Sequence, residues 1–285
     1  MQKILVTGAS GYLAQVLIPI ASERAEVIGV CRNPQQVPDP GQSLQLDITR
    51  RTAVLDAVLA EKPDAIIHCA ACNPGGEEAD MVLVNENGTA FIAEAARKID
   101  CRLVSVSSDT VFNGVDAPFA DDAEANPIPA NLYAVTKANG EHALRQACPD
   151  AIVVRTSLIY GTDGIDRGTA GFKKRLQAGE SLQLFTDVIR QPVHDRTLAS
   201  HLCTLALDLV NESGTINIAG SEAGSRYSFG VRMLDYWGVD YQDRIQAVQG
   251  FGIPGLPLDL RLQLERADAL GLDTPGITDI LGKPR

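Results

Sequence analysis

The stretch "KILVTGASGYLA" over residues 3–14 runs a β-branched strand directly into a glycine cluster and then into an apolar helical stretch. This junction constrains the fold strongly, because parallel strands cannot be joined by tight turns and need a crossover, usually a helix. The alternation continues. "EVIGVC", "SLQL", "DAIIHCA", "CRLVSVSS" and "AIVVRTSLIYG" read as five further strands. Between them "TRRTAVLDAVLAEK" and "VNENGTAFIAEAARKI" carry helical periodicity. Strands this continuously apolar belong to a sheet covered by helices on both faces. The expected class is therefore α/β, a doubly wound parallel sheet with ligands at the carboxyl ends of its strands. Thr49 or Thr52 is expected to cap the second helix, and Pro19 to kink or shorten the first.

After about residue 160 the pattern loosens into shorter elements, including "TLASHLCTLALDLV" as a helix and "GTINIAG" as a strand. This divides the chain into a Rossmann-like dinucleotide-binding domain over 1–160 and a mainly substrate-binding lobe over 161–285, interleaved with the sheet. A formal net charge of −11 argues against nucleic acid and anionic membrane surfaces as partners, so any anionic ligand must be held by local cations. No stretch approaches the ~20 apolar residues of a membrane span. Gly8, Gly11 and Pro19 interrupt the apolar opening, which reads against a signal peptide and for a cytoplasmic location. The six cysteines are expected to be reduced core thiols. Cys69 and Cys72 form a CxxC with no second ligand pair at compatible spacing, so no metal site is expected.

Gly8, Gly11 and Ala14 are spaced as GxxGxxA between the first strand and its helix. Glycine permits a tight turn and close backbone approach, and the amides of the helix start then face a pyrophosphate. An NAD site usually has an acidic residue at the end of the second strand, whereas an arginine accommodates a 2′-phosphate. Here that strand ends "VCRN" with Arg32 in place. NADP(H) is favoured, with NAD(H) the alternative, and Asp47 after the third strand is a candidate for the adenine amino group.

Tyr133 and Lys137 stand four residues apart in a helical stretch, so phenol and ammonium share one face. A neighbouring cation favours the anionic phenol, making the pair a candidate acid–base group. The fifth strand ends "VSVSSDTVFNG", where Ser107, Ser108 or Thr110 can present a hydroxyl to a substrate carbonyl. With "TGASGYLA", "LDIT", "HCAA", "VNENGTAFIAEAA", "YAVTK" and "RTSLIYG", the chain resembles the extended short-chain dehydrogenase/reductase superfamily, and within it the dTDP-4-dehydrorhamnose reductase family. The resemblance covers most of the chain. It implies an NADPH-dependent reductase of a keto sugar nucleotide, with Ser108 as hydroxyl donor, Tyr133 as proton donor and Lys137 as its partner. It also implies that Ala70 and Ala71 line the nicotinamide side. Ser10, Tyr12, Leu13, Ile48 and Asn85, with Tyr133 and Lys137, are further cofactor contacts, and Thr110 and Arg190 are substrate candidates. A homodimer is a candidate assembly. The pattern departs at "DVIRQPVHD", where Val188 stands at the family's glutamine position, and "PLDLRL" only loosely matches its C-terminal segment. Lys173, Lys174, Arg175 and Arg196 are further cations for a diphosphate, while His194 reads as a polar residue leading into a helix. Two alternatives remain: an NAD-dependent sugar-nucleotide epimerase or dehydratase, and a non-catalytic NADP-binding subunit like the regulatory subunit of methionine adenosyltransferase.

Overall fold

Seven parallel strands make the central sheet of the computed structural model, which describes residues 1–33, 36–164, 166–241 and 243–283. They are β1 Lys3–Thr7, β2 Glu26–Cys31, β3 Gln42–Gln45, β4 Ala65–His68, β5 Arg102–Val106, β6 Ile152–Thr156 and β7 Gly214–Ile218. Their spatial order is 3-2-1-4-5-6-7. The order reverses between β1 and β4, which opens a crevice at the carboxyl ends of the strands. Register brings those ends level: Thr7 pairs with Val30 and His68, and His68 with Ser105.

Alternation along each strand feeds two cores. Ile4, Val6, Ile67 and Val154 meet helices α1 (Tyr12–Ser22) and, from late in the chain, α5 (Asp195–Leu207). Leu5, Ile66, Leu103 and Val153 meet α2 (Arg51–Glu61), α3 (Thr89–Lys98) and α4 (Leu132–Ala147). The sheet is thus covered on both faces, as the apolar strands require. Each fully buried Leu or Ile stabilises the fold by roughly 1.5–3 kcal/mol relative to exposure.

Pro19 lies inside α1, which runs past it to Ser22. Two local expectations need correction. Neither Thr49 nor Thr52 caps α2. Arg50 occupies the cap position, Thr52 lies inside the helix, and the Thr49 hydroxyl instead donates to Asp47 Oδ1 at 2.8 Å. The stretch before α3 is not one α-helix either: a turn at Glu78–Met81 passes into a π-helix over Val82–Gly88. There α4 comes so close that a Cβ on Gly140 would lie 2.2 Å from the Asn85 carbonyl oxygen.

Beyond 160, α5 and β7, with Ala267 and Leu272, complete the large sheet layer. Leu260 and Leu262 pack with Phe112 and Phe119. Leu182–Phe185 pairs with Ile245–Val248 beside a small core of Leu176, Leu182, Leu184 and Leu234, and Ile189–Arg190 pairs with Gly224–Ser225. The loop over 113–130 is tied down by Phe119, which stacks on Phe112 at 4.0 Å. No helix among the described residues is long and apolar enough to cross a membrane.

Candidate active site

The crevice at the strand reversal is a cleft of about 930 Å³. At one end lies the glycine loop. Gly8 has φ +71, and a Cβ there would sit 2.7 Å from the backbone of Ala70, so only glycine allows β1 and β4 to end this close together. The Gly11 amide closes the turn onto the Gly8 carbonyl at 2.8 Å. α1 begins at Gly11 with no side-chain cap, leaving the first amides of the helix free for an anion. Ser10, Tyr12 and Leu13 line the same end. The Tyr12 hydroxyl, however, is committed to Asp195 Oδ2 at 2.6 Å, which ties α1 to the start of α5. Burial first, then that hydrogen bond, raises its pKa well above the ordinary phenol value.

Arg32, Asp47 and Ile48 form the neighbouring wall. Arg32 is exposed at the end of β2. Burial raises the Asp47 carboxyl, but two hydrogen bonds from Thr49 and the charges of Arg32 and Arg50 leave it below the usual carboxylate range. Ala70 and Ala71 line the middle with Cys69 and Cys72, both free thiols. Asn85 does not line this cleft. It is buried behind the wall, where Oδ1 accepts from the Cys72 amide at 2.7 Å and Nδ2 donates to the Cys72 carbonyl at 3.0 Å and to Thr136 Oγ1 at 3.1 Å. It therefore shapes the loop after β4 from its place in the π-helix.

Ser108, Tyr133 and Lys137 meet in the centre of the cleft. Of the three candidate hydroxyls, Ser107 is turned inward and donates to Glu141 at 2.6 Å, while Thr110 Oγ1 donates to Ser108 Oγ at 2.9 Å. Ser108 is the hydroxyl that faces Tyr133. The Tyr133–Lys137 spacing acts differently from the sequence expectation. Burial and then the Asp109 carboxylate push the Tyr133 phenol up to about 12, against opposing pulls from Ser108 and Arg190. Lys137 spends its ammonium on the Val106 carbonyl at 2.8 Å and is brought down to about 8, chiefly by burial. Tyr133 is therefore a neutral phenol near pH 7, with its proton available to donate.

The far end of the cleft carries the expected substrate candidate Arg190 together with two groups, Arg226 and Thr156, that the sequence pattern did not mark. Arg190 lines it but is held by Asp109 in a bidentate pair at 2.6 and 2.8 Å, with Asp109 fully buried. Arg226, first residue of the helix Arg226–Tyr236, also lines the cleft. Burial and the like charge of Arg190 lower its pKa, and its guanidinium has no ion pair among the described residues. The Thr156 hydroxyl is buried at the same end with no hydrogen-bond partner among the described residues. Only tertiary contact brings Arg226 to the cleft that Tyr133 also lines, so no local signal could have found it. The other expected cations lie elsewhere. Lys173, Lys174 and Arg175 are exposed outside the cleft, and Arg196 pairs with Asp163 on the surface. His194 is buried at the cap position of α5, 3.1 Å from Thr162 Oγ1.

The chain as a whole has counterparts among known proteins. The family model described as the RmlD substrate binding domain matches residues 1–255. The chain belongs to that family. A dTDP-4-keto-6-deoxy-D-glucose reductase of Streptomyces niveus is 32% identical over 227 residues, 77% of this chain and 73% of that protein. A probable low-salt glycan biosynthesis reductase of Haloferax volcanii is 29% identical, over 82% of this chain and 80% of its own. Among solved structures, the dTDP-4-dehydrorhamnose reductase of Bacillus anthracis in complex with NADP superposes with a TM-score of 0.78. That match covers 99% of this chain and 98% of the other at 23% identity, so it speaks for the fold of the RmlD family member described here.

Proposed function

We propose that this RmlD family member is an NADPH-dependent reductase of a keto sugar nucleotide, with NAD(H) the lesser cofactor. The observation that carries this reading is the single cleft with an anion cradle at one end and a neutral phenol, a hydroxyl and an ammonium in its centre. Three observations support a dinucleotide in the cradle: Gly8 leaves no room for a Cβ against Ala70, the first amides of α1 are uncapped, and Arg32 just past β2 is an exposed cation suited to a 2′-phosphate. NADPH, when bound, supplies the hydride.

The chain's own residues do the rest. Tyr133 holds the proton that passes to the oxygen of the reduced carbonyl, and burial keeps that proton in place near neutral pH. Ser108 donates a hydrogen bond to the same oxygen and stabilises charge as it develops there. Lys137, fixed by the Val106 carbonyl, keeps a positive charge beside the phenol below its own pKa. Arg226, which makes no ion pair among the described residues, and Thr156, whose hydroxyl has no hydrogen-bond partner there, are offered to the polar end of the substrate. In the same reading residues 1–160 bind the dinucleotide, 161–285 form mainly the substrate lobe, and the enzyme works as a cytoplasmic homodimer.

The test is addition of a dTDP-4-keto-6-deoxyhexose to purified protein with NADPH. Loss of NADPH absorbance in step with formation of the reduced sugar is expected. Tight NADPH binding without oxidation would move the reading to a non-catalytic NADP-binding role. NAD that copurifies and does not exchange would move it to an epimerase or dehydratase.

A further inference from the structure

Glu141 lies one turn beyond Lys137 on α4, and the chemistry above gives it no part. Its side chain is buried, yet its carboxylate is fully partnered. Oε1 accepts from Ser107 Oγ at 2.6 Å and Arg155 Nε at 3.1 Å. Oε2 accepts from Arg155 Nη2 at 2.8 Å and Arg145 Nη2 at 2.9 Å. A buried carboxylate is costly unless compensated in this way. Arg155 on β6 is itself only 1% exposed. Its Nη1 donates to the Ala123 carbonyl at 2.7 Å, and its guanidinium lies 4.8 Å from the Phe112 ring centre. The counter-charge is therefore held as rigidly as the carboxylate.

Residues 133, 137 and 141 recur every four positions and so occupy one helix face. That face lies along the end of β5. Tyr133 faces Ser108, Lys137 donates to the Val106 carbonyl, and Glu141 receives the Ser107 hydroxyl. Three successive turns of α4 thus hold three consecutive residues, 106 to 108, of the segment that presents the reactive hydroxyl.

We propose that Glu141 is a positioning residue of this site: anchored by Arg155, it holds Ser107 and so fixes the backbone that presents Ser108 to Tyr133. The inference rests on the reductase reading given above. It carries an electrostatic corollary. Around Lys137 stand Glu141 on its own helix and Cys69 and His68 from the end of β4; of these the Glu141 carboxylate is the group that most opposes the effect of burial on the ammonium. Without that charge, Lys137 should lose its proton at lower pH.

Two variants of the full chain test this. Ser107→Ala deletes one hydrogen bond and little else. It should lower kcat for NADPH-dependent reduction at least tenfold, while NADPH affinity, measured by fluorescence, stays within about twofold. An unchanged kcat, or a loss of NADPH affinity in step with kcat, would overturn the proposal. Glu141→Gln keeps the shape and removes the charge. In NMR of carbon-13-labelled lysine, with Lys137→Arg identifying the resonance, the Lys137 titration should move to lower pH; an unmoved titration would count against the placement of Glu141. Absence of turnover in the unsubstituted protein would overturn the reductase reading alone, and the Lys137 titration would still test Glu141.

Discussion

His68, at the end of β4, should make the fold acid-sensitive above the range where most carboxylates titrate. Thr89 Oγ1 donates to the Asn85 carbonyl at 2.8 Å, so at 3.0 Å it accepts from His68 Nε2–H. Nδ1 is then the acceptor for Thr7 Oγ1–H at 2.7 Å, and Thr7 Oγ1 in turn accepts from the Ala70 amide at 3.3 Å. This network assigns the tautomer, and a second proton could enter at Nδ1 only by displacing the hydrogen bond from Thr7. Burial first, and then the charge of Lys137, bring the imidazole down from 6.5 to about 3. Between those values the unfolded chain binds a proton that the native chain does not, so stability is full above pH 6.5 and is lost as pH falls. At ~1.4 kcal/mol per pKa unit, lowering the pH from about 7.5 to about 5 should remove on the order of 2 kcal/mol through this group. Urea unfolding followed by circular dichroism at the two pH values measures the loss. His68→Gln keeps one acceptor and one donor but does not titrate, so the wild-type protein should lose about 2 kcal/mol more than the variant. Equal losses in the two proteins would refute the reasoning, because the acid sensitivity would then belong to other groups.

Two further outcomes follow from the cleft. Tyr133→Phe should reduce turnover by roughly 10²-fold or more, the usual worth of a positioned general acid, while NADPH affinity measured by fluorescence stays nearly unchanged. Unchanged turnover would remove Tyr133 from the chemistry. Arg32→Ala should weaken NADPH by roughly tenfold and NADH much less, because a guanidinium matches a phosphate and adds little to a ribose hydroxyl. Calorimetric titration with both cofactors checks this, and an equal loss for the two would undo the 2′-phosphate assignment.

The parallel sheet was legible in the sequence because its strands are buried on both faces. "KILVT", "EVIGVC" and "DAIIHCA" can be read only as interior strands, and a parallel interior strand demands a crossover. The glycine loop was legible for a local reason too. The conformation at Gly8 and its approach to Ala70 exclude every side chain, so the requirement is written in the residue type. Spacing also identified Tyr133 and Lys137 as neighbours, since helix geometry alone sets that distance.

What the local pattern could not carry is the charge state of the site. The same four-residue spacing that suggested an activated phenol leaves Tyr133 neutral, because burial and Asp109 outweigh the opposing pulls and Lys137 turns to the Val106 carbonyl. The contact that places Arg190 on Asp109 joins residues 81 positions apart, and Glu141 receives Ser107 across 34. Asn85 reads as a cofactor contact in sequence, whereas in the fold its side chain, within a π-helix, is committed to the Cys72 backbone and Thr136. By itself, then, the sequence determined the sheet, its crossovers and the glycine cradle, all of which depend on backbone sterics and on which faces are apolar over a few neighbouring residues. Tertiary structure alone decided which ionisable groups face one another and how far each is buried, and electrostatic energy depends on those distances and on the local dielectric, neither of which a linear pattern encodes.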